Sequence, residues 1–102
     1  MKSLKDIREQ LQLGRFEFTR HAFKRAVERN ISQQEIKEAG ATAEVIEDYP
    51  DDKYSPSSLL LGFTRKDRAL HLQVSKLNSA LVKIITLYEP NREQWIEYRR
   101  HQ

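Results

Sequence analysis

The chain has 102 residues, 38% hydrophobic and 32% charged, with no cysteine and a net charge of +3. That is one small domain with a single core, and disulfides and thiolate metal sites are excluded. No apolar run nears the roughly 18 to 20 residues of a membrane span and MKSLKDIREQLQLG lacks a signal-peptide core, so a cytoplasmic protein without membrane contact is expected.

Ser3 is predicted to cap a helix running to about Leu13, with Gly14 as its stop and Leu4, Ile7 and Leu11 as its apolar stripe. Residues 1–14 are read as an accessory N-terminal helix and residues 15–102 as the single domain. Phe16 and Phe18 alternate with polar neighbours, a short strand-like signal. Thr19 caps a second helix, Arg20 to about Arg29, which Asn30 ends. Ser32 caps a third, with Glu35 at the capping-box position and a stop near Gly40.

Near Ala43 the pattern changes to strands. "AEVIEDY", "SSLLLGFTR", "ALHLQVSK" and "ALVKIITLY" follow one another, separated by the turn signals "PDD", "KDR" and Asn78–Ser79. The fourth is apolar on both faces over much of its length, which suits an inner strand. Short turns between the strands imply an antiparallel meander. Pro90 ends the last strand, and "NREQWIEYRR" reads as a closing helix. The expected class is α+β, with N-terminal helices and a C-terminal helix packed on a four-stranded antiparallel sheet.

On a helical wheel Ala22, Phe23, Ala26 and Val27 form the buried side of the second helix. His21, Arg25 and Arg29 form a ladder on the other side, and Glu28 can pair with Lys24 or Arg25. His71 lies on the polar side of its strand. Thr86 and Tyr88 alternate onto one face of the next, and Lys83 is assigned to the opposite face. A histidine, a hydroxyl and a phenol on one face can bind phosphate or move protons. The same spacings suit a solvated helix face and a polar patch covered by Trp95 and Tyr98, and spacing leaves both readings open. The histidines, at 21, 71 and 101, lack metal-ligand spacing, "EDYPDD" lacks the order of a calcium loop, and no phosphate loop is present. No metal or cofactor is expected.

Charge is segregated. Residues 1–30 hold eight cations and four acids, residues 31–62 two and seven, and residues 63–102 eight and four. Basic ends that converge on one face would attract a polyanion, although solvated surface charge gives the same pattern.

The ordered set "FTRHA", "ERNIS", "EVIEDYP", "PSSLLLG", "ALHLQVS", "IITLYEP" and Trp95 resembles the bacterial family known as domain of unknown function 4258. That family is in turn similar to the RelE and BrnT toxins of the barnase–EndoU–colicin–RelE ribonuclease group. The resemblance implies a RelE-like arrangement. By position it implies His21, Arg25, His71, Thr86 and Tyr88 as catalytic residues; the neighbouring cations Arg20, Lys24 and Arg29 are the candidates for contacting nucleic acid. The function expected is a metal-independent endoribonuclease, the toxin-like half of a toxin–antitoxin pair. Its partners would be RNA or the ribosome and a small antitoxin protein. The alternative is a non-catalytic protein-interaction or nucleic-acid-binding domain.

Overall fold

Three hydroxyl side chains start three helices in the computed structural model, which describes residues 1–102. Ser3 accepts from the Asp6 N–H and begins α1 (Leu4–Gln12). Thr19 accepts from the Ala22 N–H and begins α2 (Arg20–Glu28). Ser32 accepts from the Glu35 N–H, the Glu35 carboxylate accepts from the Ser32 N–H, and α3 (Gln33–Ala41) follows. Gly14, at φ 78°, turns the chain out of α1 into β1 (Phe16–Phe18). After α3 come β2 (Glu44–Tyr49), β3 (Ser57–Phe63), β4 (Ala69–Ser75) and β5 (Val82–Tyr88).

The α+β class holds, but the expected sheet needs correction. It has five strands in the order β1-β5-β4-β3-β2 and is mixed. Strands β2 to β5 form the antiparallel meander. β1 runs parallel to β5, with Phe16 opposite Val82 and Phe18 opposite Ile84. Two alternating phenylalanines signal a strand, but local periodicity cannot name a partner far along the chain. The RelE-like four-stranded sheet is therefore replaced.

The closing helix is also corrected. Residues after Pro90 form a turn and then a hairpin of β6 (Trp95–Ile96) and β7 (Arg100–His101). Asn91 starts the turn, with its side-chain oxygen on the Glu93 N–H and its carbonyl accepting from the Gln94 and Trp95 N–H groups. Glu97 and Tyr98, at φ 52° and 65°, form the hairpin's tip. Trp95 and Tyr98 have helical spacing. What decides the conformation is Trp95, which is buried against the sheet face that carries His71. Short strands seat that ring, and helix propensity alone is a weak opposing term.

All three helices pack on one face of the sheet. Ile7, Leu11, Ala22, Ala26, Ile36 and Ala39 meet Leu60, Leu70, Leu72, Val74, Val82, Ile84 and Leu87. α1 thus supplies two core side chains. Ahead of it, the Lys2 ammonium donates to the Leu81 carbonyl at 2.9 Å and to Ser79 Oγ at 3.0 Å, tying the N-terminus to the β4–β5 turn. The opposite sheet face carries Leu59, Leu61, His71, Gln73, Thr86 and Tyr88.

Helix α2 departs from the wheel in a way that positions the site. Ala22 and Ala26 are buried, but Phe23 and Val27 are 59% and 66% exposed. The helix is therefore rolled so that its small residues centre on the sheet. At about 100° per residue, His21 and Arg25 then lie on one flank of the alanine stripe and Phe23 and Val27 on the other.

Two glycines let α3 fit between α1 and the sheet. A Cβ on Gly40 would meet Leu11 Cβ at 2.4 Å, and one on Gly62 would meet the Ala39 carbonyl oxygen at 2.0 Å. The second obstacle is helix backbone, which cannot rotate aside. Gly62→Ala is therefore expected to cost about 2–3 kcal/mol or more in chemical denaturation, as overpacked cores do. A loss under about 0.5 kcal/mol would contradict this close approach of α3 to β3.

Candidate active site

Strand β1 pairs with β5 only over Val82–Ile84, so the edge of β5 beyond Ile84 has no strand partner. Helix α2 lies against that edge. Thr19 makes the joint. Its backbone N–H donates to the Ile84 carbonyl at 3.0 Å, and its hydroxyl donates to the Ile85 carbonyl at 2.9 Å while capping α2. The first turn of α2 is thereby fixed beside Thr86.

A bulge sets the direction of the β5 side chains. Gln73 pairs with Thr86 and Val74 with Ile84, so Ile85 is an extra residue in the ladder. Val82, Ile84 and Leu87 are buried, whereas Lys83, Thr86 and Tyr88 are half-buried. The bulge therefore places Lys83 on the same face as Thr86, correcting the assignment made from simple alternation.

Between α2 and β5 runs an open groove of about 480 Å³. His21, Arg25 and Arg29 line it from the helix, and Thr86, Leu87, Tyr88 and Glu89 from the strand. Asn91 and Gln94 from the segment after β5 complete it. Four of the five expected catalytic residues, His21, Arg25, Thr86 and Tyr88, are thus brought together, with Arg29 beside them. Arg20 and Lys24 do not line the groove; both are exposed, with Lys24 at 4.0 Å from Glu28.

The groove is cationic on its helical wall. Arg25 is half-buried and pairs with Glu28 at 3.1 Å, whereas Arg29 has no carboxylate within ion-pair distance. Such exposed pairs are weak, and an anionic ligand can displace Glu28 from Arg25. Glu89 is the one acid in the groove, and Arg68 Nε holds it at 2.9 Å.

His71 lies outside the groove. It is fully buried on the same sheet face, behind Tyr88. Its Nε2 is 2.6 Å from the Tyr98 carbonyl and its Nδ1 is 3.2 Å from the Tyr88 hydroxyl. The Trp95 ring stands edge-on to it, with ring centroids 4.4 Å apart. Burial pushes its pKa below the usual histidine value, although the Tyr98 carbonyl and the Glu47 charge act in the other direction. The Tyr88 phenol is pushed up, chiefly by burial.

Arg68, read from sequence only as part of a turn, locks the far end of the groove. Its guanidinium donates to the Arg29 and Asn30 carbonyls at 3.0 and 3.1 Å, to Glu35 at 3.0 Å and to Glu89 at 2.9 Å. One side chain thus satisfies carbonyls at the end of α2 and joins α2, α3 and the end of β5. Burial pushes the Glu35 carboxyl up, but the Ser32 N–H and Arg68 outweigh it and hold it below its ordinary value. No sequence pattern singles out Arg68, because its four partners come from three separate segments. Asn91 and Gln94 were missed for a related reason: a closing helix would have placed them elsewhere.

Two outcomes follow. Thr19→Val keeps the shape but loses both hydroxyl hydrogen bonds, and should cost about 1–2 kcal/mol by thermal or chemical denaturation. No measurable loss would mean that Thr19 does not join α2 to β5. The second outcome concerns pH. A buried histidine with a lowered folded pKa contributes stability that is complete above its unfolded value of about 6.5. That contribution is lost as pH falls from there toward the folded value. Melting temperature should drop in this window for the wild type, and the drop should be smaller in His71→Gln. The contribution of Glu35 is complete above its ordinary value of 4.5 and is lost only at lower pH. Equal slopes in the two proteins above pH 5 would show that His71 is not buried as a neutral ring.

Comparison with known proteins places this geometry in a family. The chain matches no curated protein and no solved structure. Residues 18–89 match the family described as domain of unknown function, DUF4258. The match spans α2 through β5 and includes every one of His21, Arg25, Arg29, His71, Thr86 and Tyr88, and the chain belongs to that family.

Proposed function

We propose that the groove between α2 and β5 is the active site of an endoribonuclease that works without a metal ion. The observation that carries this reading is the convergence of His21, Arg25 and Arg29 with Thr86 and Tyr88, two sets widely separated in sequence. A phosphodiester needs positive charge for its non-bridging oxygens and groups that move protons to and from its bridging oxygens. Arg25 and Arg29 supply the first, and one such contact in a transition state is worth about 3–4 kcal/mol. His21 is exposed and can exchange protons with solvent, so it suits protonation of the departing O5′. The nucleophile is the adjacent ribose 2′-hydroxyl, which makes RNA the substrate.

A second observation favours a protein partner as well. The other flank of α2 exposes Phe23 and Val27, which line a shallow apolar groove with Phe18, Ala26 and Ile31. Exposed apolar surface of this kind marks interaction sites. A small inhibitory protein seated there would lie on the helix that carries the nuclease groove, as a toxin–antitoxin pair requires.

Incubation of the purified protein with RNA in EDTA tests the enzyme. The expected products carry 2′,3′-cyclic phosphate, and a 2′-deoxy substitution at the cleavage site should abolish the cut. His21→Ala should lower the rate by about 100-fold or more. The same substitution should change stability by under about 1 kcal/mol, because the side chain is exposed. Wild-type protein that cuts no RNA, free or ribosome-bound, would refute this reading.

A further inference from the structure

The fifth expected residue, His71, has no access to the groove, yet its contacts determine what Tyr88 can do there. Nε2 faces the Tyr98 carbonyl at 2.6 Å, and a carbonyl only accepts. Nε2 therefore carries the hydrogen and donates it. The ring is buried against Trp95, so the neutral form is the resting one, and a neutral imidazole with a hydrogen on Nε2 has a lone pair on Nδ1. The group facing that lone pair, at 3.2 Å, is the Tyr88 hydroxyl. Tyr88 must then direct its hydrogen toward His71, and the lone pairs of its oxygen remain for a ligand in the groove.

Resting on the reading of the groove as a ribonuclease site, we infer that Tyr88 receives the proton of the 2′-hydroxyl and that His71 is a positioning residue that takes the Tyr88 proton at Nδ1. An acceptor oxygen is a poor ligand for a phosphate oxygen and a good one for an O–H group. This separates the role of Tyr88 from those of Arg25 and Arg29, which hold the phosphate.

The step balances. The O2′–H bond breaks and its proton goes to Tyr88 Oη, while the Tyr88 proton goes to His71 Nδ1. The O2′ electron pair forms a bond to phosphorus. The bond from phosphorus to O5′ breaks with its electron pair on O5′, which takes a proton from the His21 imidazolium. His71 ends as an imidazolium and His21 as neutral imidazole, so charge is conserved. Solvent then resets His21 directly and His71 through Tyr88.

Burial opposes a charged His71, so the protonated ring is a transient that gives its proton back once the step is over. The Tyr98 carbonyl and the Glu47 carboxylate on β2 favour the charged ring, His101 on β7 opposes it, and Tyr88 on β5 is the remaining titratable group facing it. The high phenol pKa makes a free Tyr88 phenolate scarce near neutral pH, so Tyr88 needs a place to pass its proton. The Tyr98 carbonyl is delivered by a tip in which two successive non-glycine residues, Glu97 and Tyr98, hold positive φ. Such backbone is costly and clusters at functional sites.

The experiment compares wild type, Tyr88→Phe and His71→Gln on an oligoribonucleotide with one cleavable ribose, in EDTA. Wild-type ¹⁵N NMR should show His71 as the tautomer with hydrogen on Nε2. Both variants should lose kcat by at least about 100-fold, with KM within about threefold, because phosphate binding stays with the arginines. Either variant within threefold of wild-type kcat, or hydrogen on Nδ1 in the wild type, overturns the relay and leaves the ribonuclease reading standing. If His71→Gln fails to fold, Tyr88→Phe and the tautomer decide. Wild-type protein without cleavage removes the ribonuclease reading and the relay with it.

Discussion

Three residues, Phe16–Phe18, lying parallel beside the start of β5 fix the position of everything near the groove. The pairing brings Thr19 to the point where β5 loses its strand neighbour. There one hydroxyl caps α2 and donates to the Ile85 carbonyl. The helix that would otherwise pack anywhere over the sheet is thus started at a defined point on its edge. From that start, His21 lines the same groove as Thr86, and the bulge at Ile85 points Thr86 and Tyr88 away from the core. The pairing is short, but its ends are anchored by apolar side chains: Phe16 and Phe18 pack on the core beside Val82 and Ile84.

The roll of α2 follows from side-chain size. Alanines at 22 and 26 allow the helix to approach the sheet closely, whereas a face centred on Phe23 and Val27 would hold it away. Close approach leaves the two phenyl- and isopropyl-bearing positions on an outer flank, at the cost of exposing apolar surface. That cost is on the order of the 1.5–3 kcal/mol that full burial of each large side chain would contribute. The inner flank gains a histidine and two arginines at the lip of a groove, held at the far end by Arg68.

Much of this was legible locally. Ser3, Thr19 and Ser32 with Glu35 announce three helix starts, and each caps as read. The four meander strands follow from alternation and turn residues. What was not legible is what depends on distance. The partner of Phe16–Phe18 is chosen by tertiary packing, and it converts a four-stranded antiparallel sheet into a five-stranded mixed one. The closing segment has helical spacing at Trp95 and Tyr98, but the deciding term is a contact with His71 that only the folded sheet offers. A single inserted residue at Ile85 moved Lys83 to the other face, and periodicity cannot see a bulge. Residue type marks His71 as a candidate, but burial keeps it out of the groove.

The groove therefore separates two kinds of residue. His21 and Arg29 are exposed on the helical lip and Arg25 is half-buried beside them, paired only with Glu28. Thr19, Arg68 and His71 lie behind the surface, each with two or more hydrogen-bond partners, and none of the three lines the groove. Thr19 and Arg68 hold the two ends of the helical wall, and His71 orients the strand wall through one phenol. A wall fixed at both ends keeps its width when a ligand enters, so binding energy is not consumed in closing the groove. The histidines divide in the same way: the His21 ring is exposed at the groove, and the His71 ring is buried between the Tyr88 hydroxyl and the Tyr98 carbonyl that a left-handed turn presents.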